Sequence, residues 1–211
     1  MVAQQIDVVA QDIGIDAAKS GMLSNSAIIH AVADAIVRHR IEIYVLDPVM
    51  ASETGHRLLR DDAVEALKSR LLPLALVVTP NAAEAEALTG VRVTDAASQR
   101  EAARVLHGLG ARAVLVKGGH LEGANALDIL SDGRDFIEIS APRIDTRNTH
   151  GTGCTYAAAI AALLGHGQPL PEAVSVAKQY VTEAIRRGFS LGQGAGPLNH
   201  FWTIQPGAGT Q

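Results

Sequence analysis

The sequence predicts an α/β fold, a mostly parallel central sheet with helices covering both faces, and three observations carry that expectation. Short apolar runs at 41–46, 74–79 and 113–117 alternate with amphipathic stretches of helical period, the pattern of strand–helix–strand units with parallel strands. Asp132-Gly133 lies between the runs 126–131 and 136–140, a hairpin signal that adds one antiparallel excursion. After the hairpin, the polar turn 145–154 feeds an alanine-rich helix.

The elements follow in order. Residues 4–13 carry Ile6, Val9 and Ile13 at helical spacing, and 17–23 reads as a short buried strand. Asn25 or Ser24 then caps a helix whose apolar face holds Ile28, Ile29, Val32, Ile36 and Val37. The strand 41–46 ends at Asp47-Pro48, and a glycine-containing loop, 51–59, leads to a helix over 61–71. The strand 74–79 is followed by Pro80-Asn81, which opens a helix ending near Gly90. A helix over 98–109 stops at Gly110, before the strand 113–117. Beyond the hairpin come helices at 153–164 and 172–187, and a Gly/Pro/Gln-rich tail that frays after Trp202. No internal repeat or linker divides the chain, so residues 1–211 read as one domain.

Composition narrows the function. With 211 residues, 47% hydrophobic and 19% charged, the chain can bury a sizeable core. A net charge of −4 and the lack of any basic block argue against nucleic acid as partner. A single cysteine excludes an intrachain disulfide and suits a reducing cytoplasm. The most apolar helical run is far shorter than the roughly 20 residues a bilayer demands, so no membrane role is expected.

In open α/β sheets ligands bind beyond the carboxyl ends of the strands. Those ends carry Lys19 and Met22, then Asp47, then Thr79 and Asn81, then Lys117, and last Thr146 and the 151–154 turn. All converge on one edge. A glycine-containing turn entering a helix offers free N–H groups and a positive dipole end, which favour a bound anion, phosphate above all. Of the eight histidines none has metal-ligand spacing to another, so no zinc is expected.

Five segments in this order, 19–23 (Lys-Ser-Gly-Met-Leu), 46–49 (Leu-Asp-Pro-Val), Thr79-Pro80-Asn81 with Glu84, 117–120 (Lys-Gly-Gly-His) and 145–154, closely resemble the hydroxymethylpyrimidine/phosphomethylpyrimidine kinases of thiamine biosynthesis, ribokinase-like proteins. The segment 196–200 adds to the likeness, which covers the chain from about Ile6 to Phe201. The resemblance implies transfer of the ATP γ-phosphoryl group to 4-amino-5-hydroxymethyl-2-methylpyrimidine and to its monophosphate, with Mg²⁺, in a homodimer. The family's opening strand and glycine-rich turn are not found before residue 1, so N-terminal strands are expected to be missing from the sheet.

Roles follow from that resemblance, each beside a plainer reading. Gly151, Thr152, Gly153 and Cys154 would form the anion hole, or simply start a helix. Cys154 stands where most ribokinase-like enzymes place an aspartate base; as a partial thiolate it can take the substrate's hydroxyl proton, as a thiol share it, or it can merely fill a gap. Lys117 would reach the ATP phosphates or sit exposed at a strand end. Asp47 and Glu84 would hold Mg²⁺ or its waters. Asp47 can also begin a turn with Pro48, and Glu84 can close a capping box with Asn81. Thr79, Asn81 and Thr146 would touch the nucleotide; Met22 and Val49 would pack on the pyrimidine ring or belong to the core. Two rivals share these residues: a pyridoxal or vitamin B6 kinase, and a truncated, catalytically silent nucleotide-binding subunit.

Overall fold

The computed structural model describes residues 1–50, 59–119, 121 and 123–204. The expected loop 51–59 thus lies almost wholly outside the described residues, as do His120 and the end of the tail. The elements run α1 (Val2–Asp12), β1 (Ala18–Ser20), α2 (Ser26–Arg38), β2 (Tyr44–Leu46), α3 (Asp61–Ala66), β3 (Val77–Val78), α4 (Ala82–Thr89), α5 (Ala96–Gly108), β4 (Val114–Val116), β5 (Asn125–Ser131), β6 (Phe136–Pro142), α6 (Thr152–Gly165) and α7 (Leu170–Arg186).

The six strands form one sheet in chain order. β1 to β4 are parallel, whereas β4–β5 and β5–β6 are antiparallel. The hairpin is therefore a continuation of the sheet, closed by Asp132, whose Oδ1 accepts the N–H groups of Arg134 and Asp135.

Strand alternation divides the core in two. Tyr44, Leu46, Val78, Val114 and Val116 face α2 to α5, packing with Ile29, Leu67, Leu72 and Leu106. Val45, Val77, Leu115 and Leu130 face the other way, onto Tyr156 and Ile160 of α6 and Val174 and Val181 of α7. The two-faced apolar runs of 41–46 and 113–117 are explained by this double cover.

Several boundaries move for local reasons. Asn25, not Ser24, caps α2, its side chain accepting the Ile28 N–H at 3.0 Å. Val37, expected on the apolar face of α2, is 62% exposed, while its neighbour Ile36 is buried. In α1 no residue is buried; Ile6 is half-buried, while Val9 and Ile13 are exposed. The helix after residue 61 keeps α-geometry only to Ala66, then widens to a π turn (Leu67–Leu71) and tightens to a 3₁₀ turn (Leu72–Leu74) at Pro73. That turn consumes the start of the expected strand 74–79 and leaves β3 two residues long. α5 begins at Ala96 rather than 98 because Asp95 and Ser98 form a reciprocal capping box.

Candidate active site

The carboxyl ends of the strands open into a cleft of about 610 Å³, bounded by Asp47 and Val49 after β2, Asn81 and Glu84 at the start of α4, Lys117 after β4, and residues 151–154 at the start of α6. Nine of the twelve residues singled out from the sequence line it. Thr79, Thr146 and Met22 do not.

Asp47 is the hub. It is 1% exposed, a cost a carboxylate bears only when paired. Lys117 Nζ donates to Oδ1 at 2.9 Å, the Thr79 hydroxyl donates to the same oxygen at 3.2 Å, and Lys19 Nζ stands 3.4 Å from Oδ2. Burial works against the charge, but Lys117 and Lys19 outweigh it and hold the carboxyl below its ordinary value. Oδ2 has an ion-pair neighbour in Lys19 but no hydrogen-bond donor. The Thr79 hydroxyl is thus spent on Asp47, in a buried position, and is not presented to a nucleotide.

Lys117 is pulled two ways: burial disfavours its charge, while Asp47 and Glu84 favour it and raise its pKa. It also reaches the anion turn, since a methyl group built on Gly153 would sit 3.3 Å from its Nζ. Glu84 both caps and borders the cleft. Its Oε2 accepts the Asn81 N–H at 2.8 Å, and Asn81 Oδ1 accepts the Glu84 N–H at 2.9 Å. The capping box is therefore formed, with the carboxyl still on the cleft wall. Burial pushes Glu84 up to about 7, against the pull of Lys117.

At the turn, Gly151 takes φ +83°, a left-handed conformation that suits glycine, and the first bond of α6 runs from Thr155 N–H to Gly151 O. The Thr152 N–H and hydroxyl both turn to Thr149 O, at 3.1 and 2.7 Å. This takes Thr152 out of the expected set of anion donors and leaves the first-turn amides of Gly153 and Cys154. Cys154 is exposed, and its Sγ lies 3.8 Å from a methyl built on Gly21, a point that Lys19 Nζ approaches to 2.8 Å. Lys19, Asp47 and Lys117 therefore form one charged group beside Gly153 and Cys154.

Behind the turn, Asn148 is buried against Gly188 and Gly196, and a side chain on Gly196 would overlap its Oδ1. The His150 N–H donates to Gly196 O at 3.3 Å, and His150 pairs with Pro197. Thr146 serves this loop, its Oγ1 accepting the Asn148 N–H at 3.2 Å. Met22 is 56% exposed and stands away from the cleft.

Sequence reading passed over three cleft residues. Arg143 donates to the carbonyls of Gly119, Leu121 and Gly123, pinning the loop after β4. Asp128 and Lys178 form a buried ion pair at 2.7 Å. Each interrupts an otherwise apolar row, Asp128 within 126–130 and Lys178 within the α7 stripe of Ala173, Val174, Ala177 and Val181. That was the available signal.

Two carboxylates beside two lysines face the first turn of a helix, and the fold is that of the ribokinase-like phosphotransferases. The chain belongs to the phosphomethylpyrimidine kinase family, whose model matches residues 1–199. It is 52% identical over 199 residues to the thiamine biosynthesis bifunctional protein ThiED of Geobacter sulfurreducens, covering 94% of this chain and 41% of that one. To the hydroxymethylpyrimidine/phosphomethylpyrimidine kinase of Streptomyces coelicolor it is 47% identical, covering 96% of this chain and 75% of the relative. Its fold matches the ADP complex of Bacillus subtilis pyridoxal kinase with a TM-score of 0.87 at 38% identity, over 94% of this chain and 74% of that one. Among the described residues no helix is long and apolar enough to cross a membrane.

Proposed function

We propose that the chain transfers the γ-phosphoryl group of Mg²⁺-ATP to the hydroxymethyl group of 4-amino-5-hydroxymethyl-2-methylpyrimidine and then to its monophosphate. The observation that carries this is the position of Lys117, held at 2.9 Å by Asp47, with its Nζ 3.3 Å from where a methyl on Gly153, in the first turn of α6, would sit. A cation and a helix N-terminus directed at one point stabilise charge spread over a transferring phosphoryl group. The substrate class rests on the family match and on the curated relatives, and Cys154 at the aspartate position of other ribokinase-like enzymes supports it.

In the reaction the pyrimidine hydroxyl oxygen forms a bond to the γ-phosphorus as the bond to the ADP oxygen breaks. The hydroxyl proton passes to Cys154 Sγ where that sulfur is a thiolate; where it is a thiol it only hydrogen-bonds the hydroxyl, and the proton passes to an oxygen of the transferred phosphoryl group. Lys117 and the amides of Gly153 and Cys154 hold the phosphoryl oxygens, and Lys19 keeps Asp47 charged. Asn81 and Val49 border the substrate space.

The residues fit a magnesium ion. Asp47 Oδ2 lacks a hydrogen-bond donor, Glu84 lies near enough to feel the Asp47 charge, and Mg²⁺ favours one or two carboxylates completed by phosphate oxygens and water. When bound, the ion would neutralise charge between the β- and γ-phosphates.

The test is ATP consumption with the pyrimidine alcohol, its monophosphate and pyridoxal in parallel. Turnover of the two pyrimidines supports the reading. Preference for pyridoxal, the substrate named for the Bacillus enzyme's activity, transfers it to vitamin B6, and no turnover with retained ADP binding makes the chain a silent nucleotide-binding subunit. A cytoplasmic location and a homodimer belong to the same reading; light scattering that gives a monomer removes the latter.

A further inference from the structure

The ladder between β4 and β5 pairs Val116 with Ile129 and then stops. The next two positions in that register would set Lys117 against Asp128 and Gly118 against Leu127. On the β3 side the pairing continues, the Lys117 N–H donating to Pro80 O at 2.8 Å and its backbone bridging Asn81, whereas the Gly118 N–H, on the β5 side by strand alternation, meets a side chain in place of the ladder. The β5 ladder thus ends one pair before the β3 side does, and the β5-facing groups of Val116 and Gly118, with the Leu127 carbonyl opposite, need new partners.

Side chains supply them. Asp128 Oδ1 accepts the Gly118 N–H at 2.9 Å, and Gln99 Nε2 donates to Val116 O and Leu127 O, each at 3.0 Å. Asp128 is 1% exposed and answers its charge with Lys178 Nζ at 2.7 Å, which stands 5.7 Å above the Tyr156 ring. There is no slack at this point, because a side chain on Gly118 would overlap the Leu127 carbonyl. Surface ion pairs contribute little, but a buried one that also takes a backbone donor fixes geometry.

We propose that Asp128, with Lys178 as its counter-ion, is a positioning residue for Lys117: by holding the Gly118 amide it sets the strand exit from which that lysine reaches Asp47 and the start of α6. The inference rests on the kinase reading for its catalytic consequence, but not for its geometry.

The test compares two charge-neutral double variants of the full chain. Asp128→Asn with Lys178→Met keeps an oxygen for the Gly118 N–H; Asp128→Leu with Lys178→Met removes it. Each is checked for folding by circular dichroism. Each is then read by kcat and KM for ATP, and by the rate at which an N-hydroxysuccinimide ester acylates Lys117, followed by peptide mass spectrometry. The asparagine variant should keep kcat within about threefold and acylate at the native rate. The leucine variant should lose kcat by about tenfold or more, with a smaller change in KM, and acylate Lys117 about fivefold faster. If the leucine variant does not fold, Asp128→Ala with Lys178→Met replaces it. Equal kcat and equal acylation in the two folded variants would overturn the proposal, as would an asparagine variant that folds yet loses kcat tenfold. If the native chain phosphorylates no pyrimidine, the functional reading fails, and the acylation rates still decide the positioning.

Discussion

Lys117 Nζ lies 2.9 Å from Asp47 Oδ1 and occupies the space that a side chain on Gly153 would enter, so one ammonium stands between the end of β2 and the first turn of α6. Its charge is desolvated and aimed before any nucleotide arrives. Replacing Lys117 with methionine should lower kcat by about 10²–10³, the loss typical of a preorganised charge-stabilising donor. It also leaves the buried Asp47 with Lys19 at 3.4 Å and the Thr79 hydroxyl at 3.2 Å, so the thermal midpoint should fall. Steady-state kinetics beside a melt measures both, and an unchanged kcat would remove Lys117 from the chemistry.

Cys154 should separate proton handling from binding. Cys154→Ala is expected to lower kcat by about 10²-fold or more, at the low end of general-base effects, with KM for ATP little changed. Cys154→Ser, which can still hydrogen-bond the hydroxyl, should fall between the two. An alanine variant as fast as the native chain would leave the thiol no part in the reaction.

Glu84 gives a pH signature. Its folded-state pKa of about 7 lies above the ordinary 4.5. The stability tied to its protonated form is therefore whole below about 4.5 and is lost as pH rises through 7, because the unfolded chain ionises first. Glu84→Gln keeps an oxygen for the Asn81 N–H but cannot ionise. Its thermal midpoint should gain on the native one between pH 5 and pH 8, which differential scanning calorimetry reads directly. Over the same range the native KM for Mg²⁺-ATP should fall while that of the variant stays flat. A constant gap in midpoint would contradict the assignment.

Two adjacent glycines should respond differently. A methyl on Gly118 meets the Leu127 carbonyl and Gln99 Nε2, whereas one on Gly119 meets nothing within 4 Å. Gly118→Ala should destabilise by at least about 2 kcal/mol, and Gly119→Ala by less than about 0.5 kcal/mol, in urea unfolding. Equal losses would mean that the tight crossing of β4 and β5 does not constrain the fold.

The order of strands and helices could be read from periodicity because each apolar run between turn residues admits few alternatives. Short-range chemistry was equally legible: Asn81 and Glu84 make the capping box that their spacing implies. What could not be read depended on partners distant in sequence. Thr79 looked free at a strand end, yet its hydroxyl is taken by Asp47, 32 positions away. Thr152 looked like an anion donor, yet its amide bends back to Thr149, a turn choice that composition does not determine. Lys178 reads as one polar residue on a buried stripe until the sheet brings Asp128 under it, 50 positions away.

The segment around Gly188 and Gly196 closes over Asn148, just ahead of the phosphate turn, and Leu198 from the same stretch is buried in the second core. The last part of the chain therefore acts as a backstop for the catalytic loop. A proteolytic nick between residues 188 and 196 should loosen the loop from behind without cutting any residue of the cleft, and on the kinase reading it should slow phosphoryl transfer.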